Sequence, residues 1–226
     1  YDAGPETVYG IDQQQHPIAS YYRNSIIHFF LNQSIIELSA VKIRDLTGAA
    51  AREQFWREVD KIRDHFKFEF FYSPTELFHQ EIETELNRHC PDALDQLNRE
   101  EIYGEHIMRS IQPLVAHQTL LTFAEAYSVA ADVASAPQSL ELDSKMLTEA
   151  CLKLGRQAYL QRRISSESSI AKLLFQNSFD LLKHRGLDQY HGEETREQRR
   201  GLALEFRDIL RRIEAIKAMA LTRTLQ

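Results

Sequence analysis

Apolar positions along the chain recur mostly three and four residues apart, the spacing that gathers side chains on one face of an α-helix. From Ile18 to Arg44 the set Tyr21, Tyr22, Ile26, Phe29, Phe30, Ile35, Ile36, Leu38 and Val41 follows this spacing, with Pro17 before it and Thr47-Gly48 after it, and predicts one long helix with a wide apolar face. Ala49 to His65 predicts a second helix, carrying Phe55, Trp56, Val59 and Ile62. The run Phe66-Lys67-Phe68-Glu69-Phe70-Phe71-Tyr72 switches to alternation and reads as extended. Ser73, Pro74 and Glu76 then form a capping-box start for a helix from Thr75 to Arg88. Cys90-Pro91 ends that helix, a short one follows, and Glu100 to Ala134 predicts a long, largely buried helix kinked at Pro113.

Beyond the turn at Ala136-Pro137-Gln138-Ser139, Asp143 or Ser144 caps a helix through Leu147, Cys151, Leu154 and Ala158 to about Gln161. Ser165-Ser166-Glu167-Ser168 opens another, closed by His184-Arg185-Gly186 with Gly186 in the left-handed conformation. A last helix runs from about Glu194 to Thr222. Tyr1 to Ile11 alternates around Gly4-Pro5 and reads as the end of a β-hairpin whose partner strand lies upstream. The expected fold is therefore mainly α. It is a multi-helix bundle with a short N-terminal β element and a winged-helix-like helix pair near residues 146–187. We divide one helical region into 1–12 (hairpin end), 13–135 (long-helix bundle) and 139–226 (basic helical subregion).

Composition agrees with this picture. Only 8 Gly and 6 Pro are scattered through 226 residues, too few for a turn-rich all-β fold, and no glycine-rich phosphate loop is present. A chain of this length with 43% hydrophobic residues buries enough surface to fold without disulfides. Cys90 and Cys151 accordingly read as buried thiols in a reducing compartment. The longest apolar run, Ile26 to Leu31, contains His28 and falls far short of the ~20 residues that span a bilayer. The start at Tyr1, with no Met and no signal segment, reads as a piece of a longer chain.

Charge adds an asymmetry that the net value of -6 conceals. Residues 1–150 hold 12 Lys and Arg against 24 Asp and Glu, whereas residues 151–226 hold 15 against 9. The basic end, with Arg199, Arg200, Arg207 and Arg211 on the last helix, is suited to an anionic lipid surface or to docking on the acidic part or another domain. The same arginines are interleaved with Glu197, Glu205, Asp208 and Glu214, and the second helix of the 146–187 pair offers only Lys172 and Lys183, so no nucleic acid is expected as a partner.

Candidate chemistry is sparse. Glu76 and His79 form an E-x-x-H, but a di-iron carboxylate site needs a second copy, which the sequence lacks, so no metal and no cofactor are expected. Neither cysteine lies in a catalytic signature and no G-x-S-x-G elbow occurs. Asn24, His28 and Asn32, four apart on the first helix with Arg23 beside them, form a polar stripe in an apolar element. They are either a hydrogen-bonded seam or a contact to a catalytic domain.

The string Pro17-Ile18-Ala19-Ser20-Tyr21-Tyr22-Arg23-Asn24-Ser25-Ile26-Ile27-His28-Phe29-Phe30 resembles the opening of the C-terminal region of membrane-bound glycerol-3-phosphate acyltransferases, in particular the actinobacterial form. Ser168-Ser169-Ile170-Ala171-Lys172-Leu173-Leu174-Phe175-Gln176-Asn177-Ser178 is similar to a later part of that region. The resemblance implies a parent enzyme that moves an acyl group from acyl-CoA or acyl-carrier protein to the sn-1 hydroxyl of glycerol 3-phosphate, the first step of phospholipid synthesis. In the family an H-x-x-x-x-D pair supplies the general base and its orienting carboxylate. No histidine here has an aspartate five residues on, and Gly192-Glu193-Glu194-Thr195-Arg196 lacks the Glu-Gly of the family's E-G-T-R phosphate motif. The expectation is a non-catalytic region at the cytoplasmic membrane face, peripheral, packed on the upstream acyltransferase domain and stabilising it. Tyr21, Tyr22, Arg23, Asn24, His28 and Asn32 are its interdomain contacts. The competing reading is the helical ligand-binding module of a transcription regulator, which requires an apolar cavity within the chain.

Overall fold

The computed structural model describes residues 26–137 and 141–224. A 3-10 turn, Ile27–Phe30, leads into α1 (Leu31–Lys42), followed by α2 (Gly48–His65), α3 (Thr75–His89), α4 (Ala93–Asn98), α5 (Gly104–Ser110) and α6 (Ala116–Thr119). Then come α7 (Leu121–Ala134), α8 (Ser144–Leu160), a 3-10 turn Glu167–Ser169, α9 (Lys172–His184) and α10 (Glu193–Thr224). No strand occurs among the described residues, and the expected β element at 1–12 lies outside them.

Two helices organise the packing. In α1 every residue from Gln33 to Ala40 is buried, and in α7 every residue from Thr122 to Ala131. A helix apolar on all sides must be enclosed on all sides. Accordingly α1 packs against α2, α3, α5, α6 and α10, and α7 against α8, α9, α10 and the Glu167–Ser169 turn. The 32 residues of α10, about 48 Å at the α-helical rise, run along both. Phe66, Tyr127 and Phe206 meet edge-on or tilted at 5.5–6.2 Å where α2, α7 and α10 converge. Gly104 allows α5 to lie directly on α1's end, because any Cβ there would run into the Ile43 carbonyl.

The structure departs from the sequence reading in five places. Ile18–Arg44 is not one helix in its described part: a 3-10 turn interrupts it before Leu31. The aromatic run 66–72 is a turn and coil, since Phe66, Phe70 and Tyr72 put rings into an aromatic cluster with Phe78 and Phe123 instead of pairing with a strand. The capping box does not close. Pro74 occupies the cap position of α3, and the Ser73 hydroxyl donates to Glu81 Oε1 at 2.7 Å. The predicted helix 100–134 is three helices, because the chain is irregular around Pro113, which has no N–H to give. The helix expected from Ser165 starts instead at Lys172, after a 3-10 turn capped by Ser166.

Other boundaries stand. Asp143 caps α8 by accepting from the Lys145 and Met146 amides, and Gly186 closes α9 with φ +65°. The 146–187 pair exists as α8 and α9, with Gly155 facing Ile170 and Phe175, but the chain passes from it into α10 and no wing follows among the described residues. Both cysteines are buried and free.

Candidate functional site

The described chain opens on an apolar ledge. Ile27 is buried and anchors the 3-10 turn, while Ile26, Phe29 and Phe30 are exposed, Phe29 by 72%. The His28 ring rests tilted on Phe29 at 4.0 Å. Ile26, Ile27 and Phe30 line a cleft of about 130 Å³ with Val115, Gln118 and Thr119, and Gln118 also lines a neighbouring cleft of about 360 Å³ that reaches Ala220 and Leu221 at the end of α10. Of the predicted contact residues, His28 is exposed on this ledge and Asn32 is half-buried behind it. Tyr21, Tyr22, Arg23 and Asn24 lie outside the described residues.

The buried polar seam of α1 runs one residue further round than the predicted stripe. Glu37 accepts from the amides of Val115 (2.8 Å) and Ala116 (2.9 Å) and from Gln33 Nε2 (2.9 Å), and Gln33 also donates to the Pro113 carbonyl. These amides open α6 and have no helical acceptor, so a carboxylate 78 residues earlier fixes the segment that floors the ledge. A second buried carboxylate does similar work on α7. Glu125 accepts from the amide and hydroxyl of Ser165 (2.7 and 2.8 Å) and from the Ser169 hydroxyl (2.5 Å), holding the turn between α8 and α9. Neither glutamate was singled out from sequence. A glutamate within an apolar run was the available signal.

The predicted arginines of α10, Arg199, Arg200, Arg207 and Arg211, all have partners within the chain. Arg199 is only 2% exposed, with Nε on the Leu187 carbonyl at 2.8 Å and its other nitrogens toward the Ala134 and Asp188 carbonyls. Arg207 pairs with Asp132 (2.6 Å), Arg211 with Asp208 (2.5 Å) and Arg200 with Glu193 (3.6 Å). The buried Arg212 joins Glu58 and the Leu38 carbonyl, both at 3.0 Å, and Lys61 and the buried His65 meet Glu205 at 2.7 and 2.9 Å. Burial alone would raise the Glu205 carboxyl, but the hydrogen bonds from His65 and Lys61 outweigh it and hold it at about 2. Arg185, Arg207 and Arg212 thus tie the basic part to Asp64, Asp132 and Glu58 of the acidic part, whereas Arg200 and Arg211 pair within α10.

Other candidates resolve into local contacts. His79 Nε2 lies 2.7 Å from Asp60 with its ring against Trp56, Glu76 is exposed, and no three metal-ligating side chains converge among the described residues. The Arg196 guanidinium sits on Glu193 at 2.7 Å and over the Tyr190 ring, while Thr195 is buried, so they form no phosphate cradle. Burial pushes the Cys151 thiol up to about 12. A cleft of about 380 Å³ by Arg44 and His106 and one of about 400 Å³ by Arg63 and Lys67 are open and carry charged walls, unlike an apolar ligand chamber.

Residues 1–190 match the family described as the glycerol-3-phosphate acyltransferase C-terminal region. The chain is 30% identical over 225 residues to proteins of Mycobacterium bovis and Mycobacterium tuberculosis that carry the name "Putative acyltransferase plsB1". That similarity covers 97% of this chain but 36% of each of those proteins, so the chain spans about a third of their length. No solved structure matches it.

Proposed function

The chain belongs to the family of glycerol-3-phosphate acyltransferase C-terminal regions, and from that premise we propose that it serves as the non-catalytic helical part of a glycerol-3-phosphate 1-O-acyltransferase. The enzyme it serves transfers an acyl group from acyl-CoA or acyl-carrier protein to the sn-1 hydroxyl of glycerol 3-phosphate. This chain packs against the domain that holds the general base and keeps that domain in its working conformation. The observation that carries the reading is the ledge of Ile26, Phe29 and Phe30. Three large apolar side chains stand exposed together, at the point where the described chain leads back toward the N-terminus. Exposed apolar side chains gathered in one place mark a contact surface. The sequence contains no H-x-x-x-x-D, which supports a supporting role over a catalytic one. His28 contributes an exposed polar group beside Phe29, and Asn32 lies half-buried in α1. The complete enzyme works peripherally at the cytoplasmic face of the membrane; no described helix is long and apolar enough to cross one.

The test is Phe29→Asp together with Phe30→Ser in an enzyme that carries this region behind an acyltransferase domain. Acyl transfer to glycerol 3-phosphate and the melting temperature of that enzyme fall, while the same changes lower the isolated chain's melting temperature by only about 2–4 °C, because Phe29 is 72% and Phe30 40% exposed. Unchanged acyl transfer and melting in the longer protein would sink the reading.

A further inference from the structure

Among the described residues, a cluster of cations without ion-pair partners lies where α8 turns into α9. Residues 153–173 hold Lys153, Arg156, Arg162, Arg163 and Lys172 against a single carboxylate, Glu167, in a chain whose net charge is -6. All five are exposed, and none makes an ion pair with another described residue; Arg163 reaches only the neighbouring Gln161 amide oxygen. Among them stand apolar side chains that the fold leaves uncovered: Leu160 is 82% exposed, Leu173 64%, and Tyr159 is exposed beside them.

This arrangement follows from the helix period. Leu147, Cys151, Gly155 and Ala158 face inward on α8, so Lys153, Arg156 and Leu160, spaced three and four apart, share the outer face. The chain then turns sharply, with Arg162 left-handed at φ +58° and the Arg163 amide on the Ala158 carbonyl, and the buried Ile164 pins the turn from below. Glu125 holds the next residues through Ser165 and Ser169. The turn is therefore fixed before any partner arrives.

We propose that the turn joining α8 to α9, with Leu160 and Tyr159 at its tip and Arg156, Arg162, Arg163, Lys153 and Lys172 around them, is the surface by which this region rests on an anionic lipid bilayer. An exposed aliphatic tip enters the headgroup boundary, an aromatic with a polar end suits that depth, and flanking arginines attract anionic headgroups while their stems stay on apolar surface. The surface proposal rests on the peripheral membrane reading above, and it moves the lipid contact from α10 to the α8–α9 turn.

The experiment is co-sedimentation of the chain with vesicles of phosphatidylcholine alone and of phosphatidylcholine mixed with phosphatidylglycerol. The chain binds the anionic vesicles, added salt weakens binding, and R162Q with R163Q lowers the partition coefficient about tenfold or more. Leu160→Asn weakens binding without changing its salt dependence, R200Q with R211Q changes nothing, and the melting temperature of each variant matches the parent. A chain that ignores anionic vesicles overturns both this surface and the peripheral membrane reading. A chain that binds equally well with R162Q and R163Q overturns the surface alone. The same holds if those substitutions spare vesicle binding but weaken association with an acyltransferase domain, which would make the turn a protein contact.

Discussion

The α1-centred and α7-centred halves solve one problem with the same residue type and different partners. Each buries a helix on all sides, and each carries one glutamate whose charge is taken up by a distant segment: Glu37 by residues 113–116, Glu125 by residues 165–169. Glu37 receives two backbone amides, which can only donate. Glu125 receives two serine hydroxyls and one amide, and a hydroxyl can donate or accept. The first half is thereby locked to one carboxylate chemistry, and the second tolerates a substitute.

The halves are bridged by α10, so the largest effect is expected where the bridge is buried. Arg212→Met leaves Glu58, almost fully enclosed, facing α10 without its guanidinium, and costs about 3–5 kcal/mol. Removing both partners, as R212M with E58M, restores most of that loss, because the penalty lies in the uncompensated charge. Chemical denaturation of the two variants measures it. A double variant as unstable as the single one would show that the contacts of Arg212 to the Leu38 carbonyl and Asp208, and not the pair with Glu58, hold the bridge.

The contrast between the two glutamates comes next in size. In E37Q one side-chain oxygen becomes an NH₂ that faces backbone donors, and the charge-assisted bonds are lost, for about 3 kcal/mol. In E125Q the new NH₂ takes the Oε2 side, where the Ser169 hydroxyl rotates to accept from it, while the Ser165 amide and hydroxyl still donate to the remaining oxygen, for about 1 kcal/mol. Equal losses on denaturation would remove the distinction drawn between the halves.

The same buried polar groups mark where the sequence was legible and where it was not. Asp143 and Gly186 were readable because each acts on its own neighbours, and the α2 limits followed from a one-sided apolar stripe. Pro113 marked an irregularity, but as a kink and not as the full break into three helices, and the split near Leu31 was hidden, because where both flanks are buried the apolar spacing continues across an interruption. Glu37 and Glu125 stand in apolar runs, which flags their burial, but their partners, 78 and 40 residues away, are not legible in the local sequence. The partners of the α10 arginines were hidden for the matching reason: Asp132 and the Ala134 carbonyl, which engage Arg207 and Arg199, are brought there only by tertiary packing.

Acid probes the bridge more gently. The Glu205 carboxyl, held at about 2 by His65 and Lys61 although burial opposes the drop, binds its proton in the unfolded chain near 4.5. Because the folded value is the lower, Glu205 stabilises the fold fully above about pH 4.5, and that contribution fades as pH falls toward 2. With roughly a third of the side chain in water, screening leaves on the order of 1–2 kcal/mol. In E205Q the stability curve between pH 4.5 and 2 flattens relative to the parent. An identical slope in both proteins would place the acid sensitivity elsewhere, with Asp64 and Asp208, also depressed by their cationic partners, as the next groups to replace.

The smallest effect tests whether the halves open separately. Cys90 ends α3 in the α1-centred half, and Cys151 lies on the inner face of α8 against the α7-centred half. Burial holds the Cys151 thiol near 12, so at neutral pH almost none of it is the reactive thiolate while the half is closed. Alkylation must therefore wait for local opening, and its rate follows the free energy of that opening. A loss of about 1 kcal/mol confined to the α7 half, as expected for E125Q, speeds Cys151 alkylation about fivefold and leaves Cys90 unchanged, whereas E37Q accelerates Cys90 first. If either substitution accelerated both thiols equally, α10 would be joining the two halves into one opening unit, and Glu37 and Glu125 would be locks on the same door.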